Sequence, residues 1–367
     1  MKVAIKRLAM LATTLALALS ALPAGLVPAR ADDFPYIYVE IPLGAGRLNG
    51  AALAVNSSGI ITGAYLSGYA WISDNGGPVQ FLGSLGGSSW GRGINDNVDV
   101  VGNSYVNDSS EPPHAFLYHD GVMVDLGTGY AHRGSSSAMG VNNNLQVVGE
   151  NFAPGEFTPH AILWQDGQMT DLGTLGGTTA SAWGINDSGQ IVGEAQTSVG
   201  WHHAFVWQDG QMTDLGTLGS FNAGSYARAI NSQGLVAGYA QSTGSSPSHA
   251  TIWKTDGTIL DLGTLPGRSQ SFAYALNGSS AVVGLSRQYD NHAFIWQDGV
   301  MQDLNDLAQL PPHVTLAVAF GISDTGVIVG QTCNFNEECP GDVSPRAYAL
   351  IPNPGGGAGR SHLKAAR

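Results

Sequence analysis

Along the chain, short runs of alternating apolar and polar residues are separated by clusters of Gly, Asn, Asp and Ser. A period of two marks a half-buried strand. One stretch shows the pattern in full: Ser181 to Asn186, Gln190 to Ala195, His203 to Gln208 and Gln211 to Leu215 are four predicted strands. Asn186-Asp187-Ser188-Gly189 joins the first two as a turn in which Asn bonds the backbone ahead and Gly takes positive φ. Asp209-Gly210 joins the last two as a tight hairpin. No stretch of comparable length has helical periodicity.

The same four-strand pattern returns about every 45 residues. Its turn appears seven times, as Val55-Asn56, Ile94-Asn95, Val141-Asn142, Ile185-Asn186, Ile230-Asn231, Leu276-Asn277 and Ile322-Ser323. A second marker, the first residue of a His-Ala-Phe-like triplet, falls at Tyr69, His114, His160, His203, His249, His292 and Arg346. Repeated antiparallel four-strand units predict propeller blades, whereas the coils of a β-helix are shorter and do not need paired hairpins. The last unit stops after its third strand, near Arg346 to Ile351, while Tyr36 to Gly44 lies where a fourth strand should precede the first turn. The expected fold is therefore all-β: a seven-bladed β-propeller of four-stranded antiparallel blades, closed by the N-terminal strand in the last blade. Residues 36–351 form this single domain, and 352–367 a Gly-rich, basic, flexible tail.

Within a unit, a histidine on the third strand precedes an aspartate on the fourth by eleven or twelve residues. Counting across the Asp209-Gly210 hairpin sets Phe205 opposite Asp214 and makes His203 a diagonal neighbour of that carboxylate. The same count pairs His114 with Asp125, His160 with Asp171 and His292 with Asp303. His249 reaches Asp261 across a turn one residue longer. Where the histidine is missing the aspartate is missing too: Tyr69 is expected beside Phe81, and Arg346 beside Pro42. These are read as structural pairs. A metal shared between blades fails on distance, since third strands lie roughly 16 Å from the axis and neighbouring histidines about 14 Å apart. No metal site, cofactor motif or nucleophile motif is expected.

Charge and cysteine usage place the chain outside the cytoplasm. Residues 1–31 read as a signal peptide: Lys2, Lys6 and Arg7, an apolar run to about Val27, then Ala29-Arg30-Ala31. An uncleaved anchor is the rival reading, with Pro23 and the cleavage site against it. Without the leader, 11 basic residues face 28 acidic ones, a net charge of −17. That charge repels nucleic acid, and no membrane span is expected after cleavage. Cys333 and Cys339 are the two cysteines, expected to form one local disulfide in an oxidising compartment.

The recurring strings carry a resemblance. His114-Ala115-Phe116, His203-Ala204-Phe205 and His292-Ala293-Phe294, the WQDG, DLGTLGG and GINDSGQIVG segments, in that order, resemble the HAF family of extracellular repeats in bacterial secreted proteins. The resemblance covers nearly all of the chain after the leader and departs at Tyr69-Ala70-Trp71 and Arg346-Ala347-Tyr348. It implies a secreted repeat architecture and carries over no reaction and no catalytic residue.

A site must break the sevenfold regularity. The loops between second and third strands vary freely, and variable loops on a rigid frame often carry binding. Trp201 in the fourth of these loops is expected either to pack or to stack a ligand. Three residues before each turn Asn, the units read Leu53, Arg92, Met139, Trp183, Arg228, Tyr274 and Phe320, flanked by Ala or Gly. Arg92 and Arg228 with Trp183 and Tyr274 are expected either to line a mouth that stacks a sugar and grips a carboxylate, or to pair with local acids. Glu150 and Glu194 occupy equivalent positions in adjacent units. They are the candidate carboxylates if the protein hydrolyses or cleaves glycans. The sialidase S-x-D-x-G-x-x-W boxes are not reproduced. The leading expectation is a binding module for an extracellular glycan or protein, and the second is a glycan-active hydrolase or lyase.

Overall fold

The alternating runs pair as hairpins because their turn residues accept the backbone angles that hairpins require. Asp209 and Gly210 have φ of 51° and 86°, so the tight turn sets Gln208 opposite Gln211 as counted. In the computed structural model the described residues are 34–44, 50–65, 68–107, 111–129, 134–153, 158–220, 222–333 and 344–356. They form seven four-stranded antiparallel sheets arranged as a seven-bladed β-propeller. The strands of the fourth blade are Gly176–Ile185, Ile191–Thr197, His202–Gln208 and Gln211–Gly216. Its first strand starts five residues before the expected Ser181, through the pairing of Gly176 with Thr197. The predicted leader lies outside the described residues, as does the tail beyond Gly356. Cys333 is disulfide-bonded, and its expected partner Cys339 is also outside them.

The ring closes through the amino-terminal strand. Tyr36–Glu40 lies antiparallel to Ala347–Pro352 as the outer strand of the seventh blade, with Tyr36 opposite Pro352 and Glu40 opposite Tyr348. This register corrects one expectation. The position equivalent to the aspartate of the other blades is Glu40, not Pro42, and Arg346 Nη1 meets its carboxylate at 2.7 Å. The seventh blade thus keeps an ion pair at the His–Asp position, joined across 306 residues of sequence.

Blades pack face to face through the third-strand triplets. Phe116, Phe205 and Phe294, with Trp71 and Tyr348 in the divergent units, are fully buried between blades. Space for these rings comes from a glycine on the second strand. A Cβ on Gly193 would lie 1.9 Å from Ser181 O and 2.9 Å from the Phe205 ring. Serines staple neighbouring blades as well. Ser225 Oγ accepts from Ala204 N–H at 2.9 Å and donates to Gly216 O at 2.7 Å. Ser89, Ser136 and Ser271 repeat the arrangement.

All five histidine–aspartate contacts are present, with Nδ1 to carboxylate distances of 2.9 Å for His114–Asp125, His160–Asp171 and His249–Asp261, 2.7 Å for His203–Asp214 and 2.5 Å for His292–Asp303. Asp214 uses its other oxygen to accept from Gly216 N–H at 2.7 Å, where Gly216 has φ of 75°. The Asp-Leu-Gly string is therefore a single device. The aspartate ties the third strand to the fourth and holds the turn into the next blade.

Candidate functional site

Besides a second shift nearer the strand start in the fourth and seventh blades, every innermost strand changes register at one shared place. The breaks fall between Ala52 and Ala54, Gly91 and Gly93, Ala138 and Gly140, Ala182 and Gly184, Ala227 and Ala229, Ala273 and Ala275, and Ala319 and Gly321. The residue at each break is the bulged one: Leu53, Arg92, Met139, Trp183, Arg228, Tyr274 and Phe320. A bulge leaves its residue unpaired and re-aims the side chain. All seven line one cavity of about 520 Å³ on the propeller axis. The small residues on either side allow seven strands to approach the axis. The sequence showed this small-large-small spacing, but the alternation that signals strands does not reveal an inserted residue.

Behind the bulged ring, the second strands supply a further set of side chains. Aligned positions in five blades are Asn103, Glu150, Glu194, Tyr239 and Gln331, paired with Trp90, Ser137, Ser181, Tyr226 and Val318 of the inner strands. Arg92 Nε donates to Asn103 Oδ1 at 2.8 Å. Ser181 Oγ donates to Glu150 Oε2 at 2.9 Å. Arg228 Nη2 donates to Tyr239 Oη at 2.8 Å, while its Nη1 stands 3.9 Å from Glu194 Oε2. The Arg228 guanidinium also lies 3.9 Å from the Trp183 ring centroid. Asn103 and Tyr239 escaped the sequence reading, although both occupy the aligned position that singled out the two glutamates.

These groups form one electrostatic unit. Burial pushes the Glu194 carboxyl up to about 7, against the pull of Arg228 and of the Trp183 indole, with the charge of Glu150 adding to the rise. The indole N–H nonetheless meets no acceptor at hydrogen-bond geometry, and Glu194 Oε2 has no hydrogen-bond partner. Glu150 is also raised by burial, offset by Ser181, Arg92 and Arg228. Tyr274 is pushed up to about 12 by burial and by Tyr239. Arg92 is lowered by burial, with Glu150 countering in part. Arg228 is raised, since Glu194, Tyr239 and Tyr274 outweigh its desolvation.

The predicted residues therefore divide. Arg92, Trp183, Arg228 and Tyr274 share the cavity, with Glu150 and Glu194 behind them. Trp183 does not present a bare platform, because Arg228 covers one of its faces. Trp201 belongs elsewhere. It is 37 % exposed in the loop after Thr197, where a Cβ on Gly244 would lie 2.8 Å from its ring. At the other end of the axis the turn asparagines form a chain: Nδ2 of Asn56, Asn95, Asn142, Asn186, Asn231 and Asn277 each donates to the turn carbonyl of the next blade at 3.0–3.2 Å. Among the described residues there is no cluster of three or more His, Cys, Asp or Glu able to hold a metal, and no helix long and apolar enough to cross a membrane.

The chain matches no protein-family model and none of the curated proteins compared with it. Solved structures similar to it include TolB from Acinetobacter baumannii, at TM-score 0.45 and 13 % identity over 68 % of this chain and 61 % of that one. An acylaminoacyl peptidase from Pyrococcus horikoshii is similar at TM-score 0.46 and 13 % identity, over 79 % of this chain and 51 % of that one. The SapL1 lectin, solved with alpha methyl fucoside, is similar at TM-score 0.42 and 15 % identity over 73 % of this chain and 98 % of that one. The chain thus spans about three fifths of TolB and half of the peptidase.

Proposed function

We propose that this protein is a secreted binding module that takes part of an extracellular glycan into the axial cavity, with the loops between second and third strands around it. One observation carries the reading. Seven side chains brought in by the same backbone bulge differ in chemistry, mixing Arg92 and Arg228 with Trp183, Tyr274, Phe320, Met139 and Leu53 around about 520 Å³. That volume and that mixture of apolar walls with a few directed polar groups are what a small-ligand site requires. The leader expected over residues 1–31 and the resemblance to HAF repeats support an extracellular setting. The test is a glycan array followed by titration calorimetry. Binding is expected to weaken at least tenfold in Tyr274→Ala and Phe320→Ala and to be unchanged in Val300→Ala, on a fourth-strand side chain 57 % exposed. Equal affinity in all three variants overturns the reading, as does a preference for a protein ligand with no glycan bound.

A second reading is favoured by a specific observation: two neighbouring carboxyls, Glu150 and Glu194, are both raised, the latter to about 7. A carboxyl that is half protonated near neutrality suits general acid catalysis in a glycan-active hydrolase or lyase, with the second carboxylate as its partner. Reducing ends released from a polysaccharide, and lost in Glu194→Gln, would establish it. Binding that survives Glu150→Gln and Glu194→Gln without release favours the binding module.

A further inference from the structure

The two guanidinium groups on the cavity wall are not equivalent. Arg228 already faces a carboxylate: it is stacked on Trp183, bonded to Tyr239 and 3.9 Å from Glu194, although its Nε meets no acceptor. Arg268 and Arg346 likewise have carboxylates within 2.9 Å. Arg92 differs. Its single hydrogen bond is from Nε to the neutral Asn103 amide oxygen, and no carboxylate lies within ion-pair distance of it among the described residues. Glu150, the acid that acts on it through space, receives the Ser181 hydroxyl instead. Arg92 is therefore a largely buried cation at a bulge, its two terminal nitrogens unused, on the wall of a cavity wide enough for a ligand.

A buried unpaired charge is costly, and an arginine cannot relieve that cost by giving up its proton. An anion from outside relieves it, and a planar guanidinium edge fits a planar carboxylate through two parallel hydrogen bonds. The flanking bulged residues, Leu53 and Met139, are apolar and suit the C–H face of a ring, while Ser137, whose hydroxyl lies 3.4 Å from Asn103 Oδ1, offers a hydroxyl partner beside the guanidinium. Because the charge of Arg228 already faces Glu194, Arg92 is the guanidinium of this cavity left for such an anion.

We propose that Arg92 is the receptor for the carboxylate of an acidic sugar, so that the cavity selects uronate-containing glycans. The sugar part of this proposal rests on the binding reading above, and the carboxylate part on Arg92. The experiment is calorimetry on the full chain with galacturonate, glucuronate and mannuronate trimers, each as free acid and as methyl ester, beside neutral hexose trimers. At least one free acid is expected to bind ten times or more tighter than its own ester. Arg92→Gln, which keeps a donor toward Asn103, should abolish that preference by weakening the free acid at least tenfold more than its ester, and Arg92→Lys should retain part of it. Equal binding of acid, ester and neutral sugar overturns the proposal and leaves the glycan reading standing, whereas no binding by any of them overturns both. A preference that persists in Arg92→Gln also overturns it. Should that variant fail to fold, Glu150→Gln, which removes the competing carboxylate, is expected to raise the acid's affinity several-fold, and a fall counts against the proposal.

Discussion

The guanidinium of Arg228 lies 3.9 Å from the centroid of the Trp183 ring, one bulged residue resting on the bulged residue of the preceding blade. A cation over an indole contributes about 0.5–2 kcal/mol, toward the upper end when water is excluded, and Arg228 is 15 % exposed. A double-mutant cycle with Trp183→Leu and Arg228→Lys is therefore expected to show a coupling of about 1–2 kcal/mol in denaturant unfolding. A coupling near zero would mean that the two side chains meet without mutual stabilisation.

The same cluster predicts a pH dependence. The folded-state pKa of Glu194 is raised to about 7 from its ordinary 4.5, so between these values the folded chain holds a proton that the unfolded chain has released. Stability is then greatest below about 4.5 and falls as pH rises toward 7, by on the order of 3 kcal/mol from this group alone. Glu194→Gln should flatten that part of the profile, measured as unfolding midpoint against pH. An unchanged slope would show that Arg228 keeps the carboxylate ionised in the fold.

The axial site was legible only in part. Arg92, Trp183, Arg228 and Tyr274 stood out because seven aligned repeats make a deviating residue visible, and Glu150 and Glu194 stood out the same way. The bulge that collects the first four was hidden, since an inserted residue leaves the alternation on either side intact. The Arg346–Glu40 pair was missed for a different reason. The diagonal count was applied within hairpins, and here the partner strand comes from the other end of the chain, where one residue of register decides between Glu40 and its neighbours. By contrast, the His–Asp pairs and, apart from its register, the circular closure were readable, because local turn chemistry fixes the first and the missing fourth strand dictates the second.

That closure has a measurable consequence. The segment beginning at Tyr36 brings Ile41 and Leu43, which are 3 % and 5 % exposed, into the contact between the seventh and first blades. Burying two such side chains stabilises the fold by about 3–6 kcal/mol, and removing the strand also bares the edge of Ala347–Pro352. Deleting residues 34–43 is expected to lower the unfolding free energy by at least that much and to produce oligomers on size-exclusion chromatography. A monomeric deletion variant of unchanged stability would refute the closure.

The histidine–aspartate pairs should differ in worth according to burial. His203 is 2 % exposed and Asp214 34 %, whereas His160 and Asp171 are 36 % and 52 % exposed. Asp214→Ala strands a buried ring nitrogen and the Gly216 N–H, so a loss of about 1–3 kcal/mol is expected. Asp171→Ala, in contact with solvent, should cost less than about 1 kcal/mol. In the sixth blade the Asp303 hydrogen bond raises the His292 pKa, with the charge of Asp290 adding to it. Its stabilising effect is therefore complete below the unfolded histidine pKa and is lost as pH rises through the folded one. Titration of His292 by NMR checks the direction, and a lowered value would contradict the pairing.

The chain of turn asparagines has one gap. Asn277 Nδ2 donates to Ser323 O at 3.1 Å, but Ser323 has no amide to pass the chain on to Asn56 O, and Thr325 Oγ1 reaches only Ser57 O at 3.5 Å. In the other six blades the asparagine does two jobs: its Oδ1 closes its own turn and its Nδ2 grips the next blade. Ser323 Oγ does the first alone, accepting from Val327 N–H at 2.9 Å. Ser323→Asn should restore the second, since the backbone turn is the same, with Ser323 N–H bonded to Val327 O as Asn277 N–H is bonded to Ala281 O. A new buried hydrogen bond between the first and last blades contributes about 0.5–1.5 kcal/mol, and it would do so at the junction where the chain ends meet. A higher unfolding midpoint for Ser323→Asn, absent when the seventh blade loses its outer strand by deletion of residues 34–43, is the expected result. A destabilised variant would show that the Ser323–Thr325 hydroxyl contact, at 2.9 Å, already serves that junction better than an amide does.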